Sequence, residues 1–417
     1  MKNFLSYFNN YSRKVWIYTL LLLIPVLRKT IFNRQRSMGD FAAVDSNNMI
    51  SIIVILVIIL ILITYINTIK TEIYPKVFSF TVYYIFAFFS FLWAGMNKLP
   101  FITYKAVEVL ATFYFVGYIL VIIDDRKKIL KYIILLTTLI TSVDMINSHF
   151  LHTNAYSYTA MIGILLCVGS VKYRILKWKE VWLMLFLCTL GIVFGTSSGS
   201  NVALIVGILF LFGSGKRGVN IINITLVTLL FYIIYTLFEK QIFELIFPGK
   251  NQVEIESMTG RRSMWEMFWN GWLKKPLLGY GFSYGEKNST IFGWNIEDGG
   301  VGSAHNMFIS VLINTGIVGM VLWFRFLVIL FGKTFKRAFI GNKYASVLFP
   351  VFIGIVINAN SFPAIGSDWS YIGTVCYALI IFALCFIYPN AKRVNRDRVK
   401  LIKEFKHQKT QNQLLNQ

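Results

Sequence analysis

The sequence predicts an all-α membrane protein, a polytopic transmembrane helical bundle of about twelve spans with one long extracytoplasmic loop containing short amphipathic helices. Hydrophobic residues make up 56% of the 417 residues and charged residues only 14%, whereas a soluble domain carries about a quarter charged residues. The run from Met49 to Ile69 has no charged residue and is long enough to cross a hydrocarbon core of about 30 Å. A β-barrel would show short alternating segments instead.

Apolar runs separated by charged or polar loops define the individual elements. The first and eighth runs are short, so eleven spans also fit the sequence. The predicted spans are residues 15–32, 49–69, 77–94, 101–123, 129–146, 153–170, 180–197, 200–213, 219–238, 304–330, 343–361 and 369–388.

The chain divides into two groups of spans around one long polar segment. Residues 1–238 are predicted to form an N-terminal bundle of about nine spans, and residues 304–388 the C-terminal transmembrane helices. Between them, residues 239–303 form a large loop, and long loops carry function more often than spans do. Residues 389–417 form a basic cytoplasmic tail that anionic lipid would attract.

The distribution of Lys and Arg predicts that both termini are cytoplasmic and that the long loop lies outside. With this orientation the inner segments hold more than twice as many Lys and Arg residues as the outer segments, as the positive-inside rule requires. The segment 28–48 is an exception, because Arg28, Lys29, Arg34 and Arg36 would lie on the outer face. Either the first run does not span the membrane, or these cations bind an anionic ligand there.

The net charge of +22 would suggest nucleic-acid binding in a soluble protein. Here the cations collect in loops that set the orientation, and the basic tail lacks interleaved aromatic residues, so we expect no nucleic-acid partner. The four cysteines lie within apolar runs without CxxC spacing, which indicates packing residues and neither a disulfide nor a metal site. No small-residue cleavage site follows the first apolar run, which is therefore interpreted as an uncleaved span.

The long loop contains a candidate anion-binding segment. The sequence predicts a helix whose first turn holds Arg261 and Arg262, and whose apolar face lies on the bundle or against lipid. A helix N-terminus favours anions, and guanidinium groups add bidentate phosphate contacts. Pro276 would end the helix, and Gly279 and Gly281 would form a tight turn. The equally weighted alternative is an arginine that anchors the helix among lipid headgroups.

His305 and Asn306 precede the tenth apolar run at its outer end. An isolated histidine at the end of a span is more often structural than catalytic, and Asn306 is typical of a helix cap. The predicted orientation nevertheless places His305 on the same face of the membrane as Arg261. A histidine there either accepts a proton from an attacking hydroxyl or lies protonated beside a phosphate, and the sequence leaves both roles open.

Two further polar sites lie within the spans. Asp144 ends the fifth span, where we favour a solvated helix end over a sugar-binding or proton-accepting carboxylate. Lys105 and Glu108 lie three residues apart in the fourth span, which indicates a structural ion pair. Neither site has the spacing of metal ligands, so we expect no metal ion.

Three short motifs follow one another in and after the long loop. Gly-Arg-x-x-x-Trp begins at Gly260, Pro-Leu-x-Gly-x-Gly begins at Pro276, and the His-Asn pair at His305 is followed after nine residues by Gly316. Each motif alone is weak. Their order, spacing and sidedness together resemble the O-antigen ligase and polymerase superfamily, whose members join or extend bacterial surface polysaccharides on undecaprenyl diphosphate and have about a dozen spans.

The resemblance implies roles for individual residues. Arg261 matches the loop arginine that holds the donor diphosphate, and His305 matches the essential histidine. Together they are the predicted catalytic residues.

The chain departs from the family pattern at one position. The family often has a second arginine in an earlier outer segment, and Gly199 and Ser200 stand there instead. Arg262, or Arg34 and Arg36, are the predicted substitutes as ligands of the donor diphosphate. Weaker candidates for substrate contacts are Ser198, Ser200, Asn201, Asn306 and Asp144.

The resemblance also implies a function and a location. A metal-independent glycosyltransferase without a cofactor would polymerise undecaprenyl-diphosphate-linked repeat units into a capsular, exo- or O-antigen polysaccharide at the outer face of the bacterial cytoplasmic membrane. Ligase-type transfer of finished glycan to another acceptor is the alternative. A lipid-linked oligosaccharide transporter fits less well, because the polar groups crowd the outer face. Expected partners are the lipid-linked glycan, membrane lipid, and a chain-length regulator and flippase of the same pathway.

Overall fold

The computed structural model describes most of the predicted spans and part of the long loop. The predicted basic tail 389–417 and the two candidate arginines Arg34 and Arg36 lie outside the described residues. The described residues are 11–31, 46–147, 153–195, 197–215, 218–219, 222–223, 225–226, 228–229, 246, 261–287, 292, 303–367 and 370–387.

The described part of the chain is helical apart from its loops and one short antiparallel pair, β1 (Ser214–Gly215) with β2 (Gly218–Val219). The longer helices are α1 (Arg13–Ile31), α2 (Ser46–Thr64), α3 (Tyr74–Phe88), α4 (Leu99–Ile123), α5 (Arg126–Asn147), α6 (Thr153–Lys172), α7 (Trp178–Gly195), α8 (Ser198–Gly213), α9 (Arg261–Lys274), α10 (Met307–Phe339), α11 (Lys343–Asn358) and α12 (Tyr371–Ile381). Shorter turns of helix are Ile66–Thr68, Ile69–Ile73, Phe91–Ala94, Met96–Lys98, Tyr284–Lys287 and Phe382–Phe386.

The all-helical fold class is confirmed. Six helical stretches within the described residues are long and apolar enough to cross a bilayer. Each predicted span except 219–238 coincides with a helix, and 219–238 lies mostly outside the described residues. The total of about twelve spans therefore stays a prediction.

The helices expose apolar side chains outward, as a bilayer requires. On α2, Ile53 is 56% exposed and Leu60 is 65% exposed, whereas Ile58 on the same helix is buried. Inside the bundle, α10 packs against α3, α9 and α11, and its Trp323 is fully buried. Helix α10 is therefore the element that joins the loop helix α9 to the membrane core.

Helix α10 is broken at Gly316, which has φ 64° and ψ −166°. This backbone conformation is essentially restricted to glycine. The break leaves two carbonyl groups of the first half without helical partners. The loop segment supplies them, because the N–H of Tyr280 donates to the carbonyl of Ile313 and the N–H of Gly281 to that of Asn314, each at 2.9 Å.

The first free N–H groups of the second half of α10 find hydrogen-bond acceptors in the same loop segment. The N–H of Ile317 donates to the carbonyl of Pro276 at 2.9 Å, and the N–H of Val318 donates to that of Leu277 at 3.2 Å. Residues 276–281, here called the clasp, thus fill both sides of the break at Gly316. Two of the predicted motifs meet here, one providing the clasp and the other the glycine that the clasp requires.

Two sequence expectations about buried polar and sulfur groups agree with the structure. The cysteines Cys167, Cys188, Cys376 and Cys385 are buried and free, as expected for packing residues. Lys105 donates to the nearly buried Glu108 at 2.9 Å, which is the predicted ion pair within the fourth span.

Candidate functional site

The site centres on the short segment that leads into α10. Asn306 caps this helix, because its side-chain oxygen accepts from the N–H groups of Phe308 at 2.9 Å and Ile309 at 3.2 Å. Such a cap satisfies donors that the first turn of a helix otherwise leaves free. The Asn306 amide nitrogen donates to Asn360 Oδ1 at 3.2 Å. The capping role suggested by the sequence is therefore present, and contact of Asn306 with substrate stays a prediction.

His305 is held in a backbone conformation that is unusual for a histidine. Its φ is 47°, in the left-handed region that non-glycine residues rarely adopt. Its N–H donates to Ser303 Oγ at 3.2 Å. The side chain is half-buried, and its Nδ1 is buried without a hydrogen-bond partner in the described part of the chain. The segment thus holds an imidazole with one ring nitrogen uncommitted.

Arg261 is the first residue of α9 and lies close enough to His305 to affect its ionisation. Burial lowers the pKa of His305 below its ordinary value of 6.5, and the positive charge of Arg261 lowers this pKa further, while a hydrogen bond to the backbone of Ser361 acts in the opposite direction. Burial also lowers the pKa of Arg261, although an arginine stays protonated at neutral pH. The site therefore pairs a charged guanidinium with a neutral imidazole.

The neighbouring Arg262 is placed differently. Its side chain is 75% exposed, and its Nε lies 3.4 Å from Glu266 Oε1, one turn later on α9. Exposed ion pairs of this kind contribute little to stability. The structure brings Arg261 to His305 and leaves Arg262 in an exposed ion pair, so its role as a diphosphate ligand stays a prediction.

The amphipathic pattern of α9 explains how Arg261 is positioned. The apolar face buries Met264 and Phe268, which pack with Ala304 and Ile313. Trp265 adds a directional contact, because its Nε1 donates to the carbonyl of Ala304 at 2.9 Å. The helix therefore lies on the bundle rather than with this face on lipid, and it is tied to the residue immediately before His305.

A turn at the end of α11 supports the segment from the other side. In this 358–361 turn, the carbonyl of Ala359 accepts from the N–H of Met307 at 2.9 Å, and Asn360 bonds to Asn306. The turn therefore fixes the start of α10, and it also supplies the backbone of Ser361 to His305.

The same turn contacts the segment where the family often has its second arginine. Asn358 Nδ2 donates to the fully buried Ser200 Oγ at 3.0 Å. A Cβ atom added to Gly199 would lie 2.8 Å from Asn358 Oδ1 and would collide with Ser361 Oγ. The chain lacks space for an arginine here, and small residues let the segment pack directly against the 358–361 turn.

Buried polar atoms without described partners gather around this turn. Ser198 Oγ, Asn358 Oδ1 and His305 Nδ1 are buried and have no hydrogen-bond partner within the described residues. Buried polar groups are normally satisfied, so these atoms are candidates for bonds to a ligand. Asn201 instead donates to the carbonyl of Ile246 at 3.3 Å, a described residue of the long loop.

Asp144 differs from the expectation of a solvated helix end, because its side chain is only 1% exposed. The interpretation as a solvated carboxylate is wrong, since this side chain is buried inside the bundle. Contact between Asp144 and substrate stays a prediction.

Sequence reasoning missed a buried carboxylate beside the site. Glu286 is 3% exposed, and its Oε1 accepts from the N–H of Ala304 at 2.7 Å and from Ser303 Oγ at 2.9 Å. In the sequence, only its position a few residues after the Pro-Leu-x-Gly-x-Gly motif could have indicated this glutamate. The 358–361 turn was also missed, because its role depends on contacts distant in sequence.

Residues 183–324 match the model of a family described as O-Antigen ligase. The matched stretch contains Gly199, all of α9, the clasp, His305 and Gly316. The resemblance to the O-antigen ligase and polymerase superfamily is confirmed. None of the curated proteins compared with the chain matches it. The superfamily match supports a multi-pass membrane function of the O-antigen ligase or polymerase type, carried out by a glycosyl-transferring enzyme on lipid-linked glycan.

Within the described residues, no three His, Cys, Asp or Glu side chains cluster as a metal site would require. The expectation of a metal-independent enzyme stays a prediction, since part of the long loop lies outside the described residues.

Proposed function

We propose that the protein is an outer-leaflet glycosyltransferase that polymerises undecaprenyl-diphosphate-linked repeat units into a bacterial surface polysaccharide. The observation that carries the proposal is the juxtaposition of Arg261 and His305. The charge of Arg261 lowers the pKa of His305, and Trp265, one turn after Arg261 on α9, donates to the carbonyl of Ala304, the residue before His305. This combination suits a reaction in which a phosphate leaves and a hydroxyl attacks.

The bond changes assign a role to each residue. The hydroxyl oxygen of an acceptor sugar attacks the anomeric carbon of the donor, and the bond between that carbon and the lipid diphosphate breaks. The diphosphate leaves with the bonding electrons, and Arg261 stabilises its growing negative charge. The start of α9, which the sequence places at Arg261 and Arg262, would favour the same charge.

His305 would receive the proton that the attacking hydroxyl loses. Burial and the charge of Arg261 keep the imidazole pKa below 6.5, so the ring is neutral at pH 7 and able to accept a proton. This supports the role of a base over that of a protonated phosphate ligand, which the sequence had left open.

The sugar portions of the substrates would lie over the 358–361 turn. The uncommitted oxygens of Ser198 and Asn358 are suited to hydrogen bonds with sugar hydroxyl groups. Because most of the reaction is positioning and charge stabilisation, these contacts would align the acceptor with the anomeric carbon.

The test is the size and lipid attachment of surface glycan in cells that carry His305→Ala or Arg261→Ala at normal expression. We expect single repeats to accumulate on undecaprenyl diphosphate while long chains disappear. Long chains that stay on the lipid would instead identify ligase-type transfer. Unchanged glycan in both variants would overturn the assignment of the site.

A matched control is Arg325→Ala, which removes a cation from the second half of α10, away from the proposed site. This variant should keep the wild-type glycan pattern. A loss of long chains in Arg325→Ala equal to that in Arg261→Ala would indicate a general effect of removing an arginine.

A further inference from the structure

Glu286 is a buried carboxylate that the proposed chemistry does not use. Its Oε1 accepts from Ser303 Oγ and from the N–H of Ala304, and its Oε2 accepts from Asn314 Nδ2 at 3.3 Å. Each of these partners donates, which suits an ionised carboxylate because that group only accepts hydrogen bonds. A buried charge is costly unless it is hydrogen-bonded, so these contacts account for its presence.

The position of Glu286 is fixed from the backbone as well. Its N–H donates to Asn314 Oδ1 at 3.0 Å, so Glu286 and Asn314 bond to each other in both directions. Asn314 lies two residues before the break at Gly316, and its carbonyl accepts from Gly281 of the clasp. The carboxylate is thereby held against α10 at the point where the loop and the helix are joined.

A chain of hydrogen bonds leads from this carboxylate to the histidine. Ser303 Oγ donates to Glu286 and accepts from the N–H of His305 at 3.2 Å, while Ala304 bonds to Glu286 directly. These contacts restrain the three residues that lead into α10. They oppose relaxation of His305 from its positive φ of 47°, which a non-glycine residue keeps only where its surroundings enforce it.

We propose that Glu286 is a positioning residue that holds the Ser303–His305 segment, and so sets the direction in which the His305 imidazole projects. Its expected effect on the rate of glycan extension rests on the proposed function. Its geometric content is independent of the reaction, and it can be measured on the resting protein.

The first measurement reports the exposure of the His305 ring. The chain has only four histidines, so protein labelled with ¹³C in the histidine rings and placed in lipid nanodiscs gives few signals. His305→Ala assigns the signal of His305. A soluble gadolinium chelate is added at about pH 8, above the ordinary histidine pKa of ~6.5, so that the ring stays neutral in every variant.

Glu286→Ala should release the segment and increase the paramagnetic relaxation of the His305 signal by about twofold or more, since a half-buried ring becomes open to the probe. Glu286→Gln should leave it near the wild-type value, because the amide oxygen still accepts from Ser303 and Ala304. Glu72→Gln makes the same chemical change at an exposed glutamate and should have no effect.

The second measurement is the rate at which glycan is extended in membrane vesicles. Displacement of a catalytic group by about 1 Å lowers a rate roughly 100-fold, and we expect a loss of that order in Glu286→Ala. Glu286→Gln keeps an oxygen that accepts from Ser303 and Ala304 and loses the bond from Asn314, and a single hydrogen bond corresponds to roughly a fivefold effect. Rescue by the conservative variant separates positioning from a need for the negative charge.

Ser303→Ala covers the case in which Glu286→Ala fails to accumulate in the membrane. It removes the hydroxyl that joins Glu286 to His305, and it should increase the relaxation of the His305 signal. Its control is Ser283→Ala, which removes a buried hydroxyl without a hydrogen-bond partner in the described part of the chain.

Wild-type relaxation in Ser303→Ala, or in an accumulating Glu286→Ala, would overturn the positioning role. A Glu286→Gln variant that is as inactive as Glu286→Ala would overturn it as well. The proposed function fails separately if His305→Ala keeps its long glycan chains, because the relaxation measurement does not depend on activity.

Discussion

The backbone N–H of Ile317 donates a 2.9 Å hydrogen bond to the carbonyl oxygen of Pro276. A helix that breaks inside a membrane protein leaves N–H and C=O groups that must find partners, because hydrocarbon offers none. Here the partners come from a loop that follows α9. The bond therefore couples the loop after α9, the helix that carries Arg261, to α10, the helix that His305 precedes by two residues.

The break at Gly316 should tolerate no other residue. In Gly316→Ala the added Cβ would collide with the backbone of Leu277. Alanine would also be strained at φ 64° and ψ −166°, which costs a further ~1–3 kcal/mol. We expect a lower apparent unfolding temperature in detergent and loss of long glycan.

Gly332→Ala is the matched control for this prediction. Gly332 lies in the same helix, and an added Cβ there would meet nothing within 4 Å. Alanine should be neutral or stabilise α10 by up to about 1 kcal/mol, because it is the better helix former. Equal destabilisation by both substitutions would show that the clasp does not depend on Gly316.

The close packing at Gly199 predicts a suppressor pair. Gly199→Ala should destabilise the protein by about 1–3 kcal/mol through overpacking, because its Cβ would collide with Ser361 Oγ. Ser361→Gly removes that hydroxyl, and the double variant should recover part of the loss. Thermal unfolding and glycan length measured on both single variants and the double variant test this, and strictly additive losses would contradict it.

The indole of Trp265 should matter through its N–H group. Trp265→Phe keeps an aromatic ring but removes the donor to the Ala304 carbonyl, next to His305. We expect the rate of glycan extension to fall roughly tenfold, which corresponds to about 1.4 kcal/mol. Trp269→Phe, at an exposed position on the same helix, is the control and should keep the wild-type rate.

The pH dependence separates the two roles of His305. The pKa of His305 is lowered from 6.5, so the neutral base is present at and above pH 6.5 and is lost as the pH falls through the lowered pKa. If His305 is the base, the rate is constant near neutrality and falls about tenfold per pH unit in acid. A rate that rises with acidity would instead indicate a protonated phosphate ligand.

Arg261→Gln tests the electrostatic contact between the two residues directly. Removal of the guanidinium charge should raise the pKa of His305, because Arg261 lowers it. The pKa is read from the pH titration of the ring-labelled His305 signal, and Arg262→Gln serves as the control because Arg262 is exposed and paired with Glu266. An unchanged pKa in Arg261→Gln would show that the two side chains are not adjacent.

Several features of the fold could be predicted from the sequence because they depend on neighbouring residues. Apolar runs specified the spanning helices, and their bounds agree with the structure for α4, α5 and α6 within three residues, whereas α10 extends to Phe339, beyond the predicted end at residue 330. Helix α9 begins at Arg261 and ends at Lys274, just before Pro276, since proline lacks the N–H that a continuing helix needs. The cap formed by Asn306 is equally local.

Only some of the site residues could be predicted from the sequence. The predicted orientation placed Arg261 and His305 on the same face of the membrane. The three spaced motifs that contain them resemble a known superfamily. Glu286 and Asn358 carried no comparable pattern. Their roles come from hydrogen bonds to Ala304 and Ser200, and no local sequence pattern predicts such contacts.

The sequence by itself determined the membrane class, the helices and the candidate chemistry, because hydropathy, helix caps and prolines act within a few residues. Only the tertiary structure decided that the clasp enters the break at Gly316, that Gly199 leaves no space for an arginine, and that Glu286 restrains the segment before His305. Each depends on atoms that approach within hydrogen-bonding or van der Waals distance across many residues of chain, and those distances are set by packing of the whole bundle.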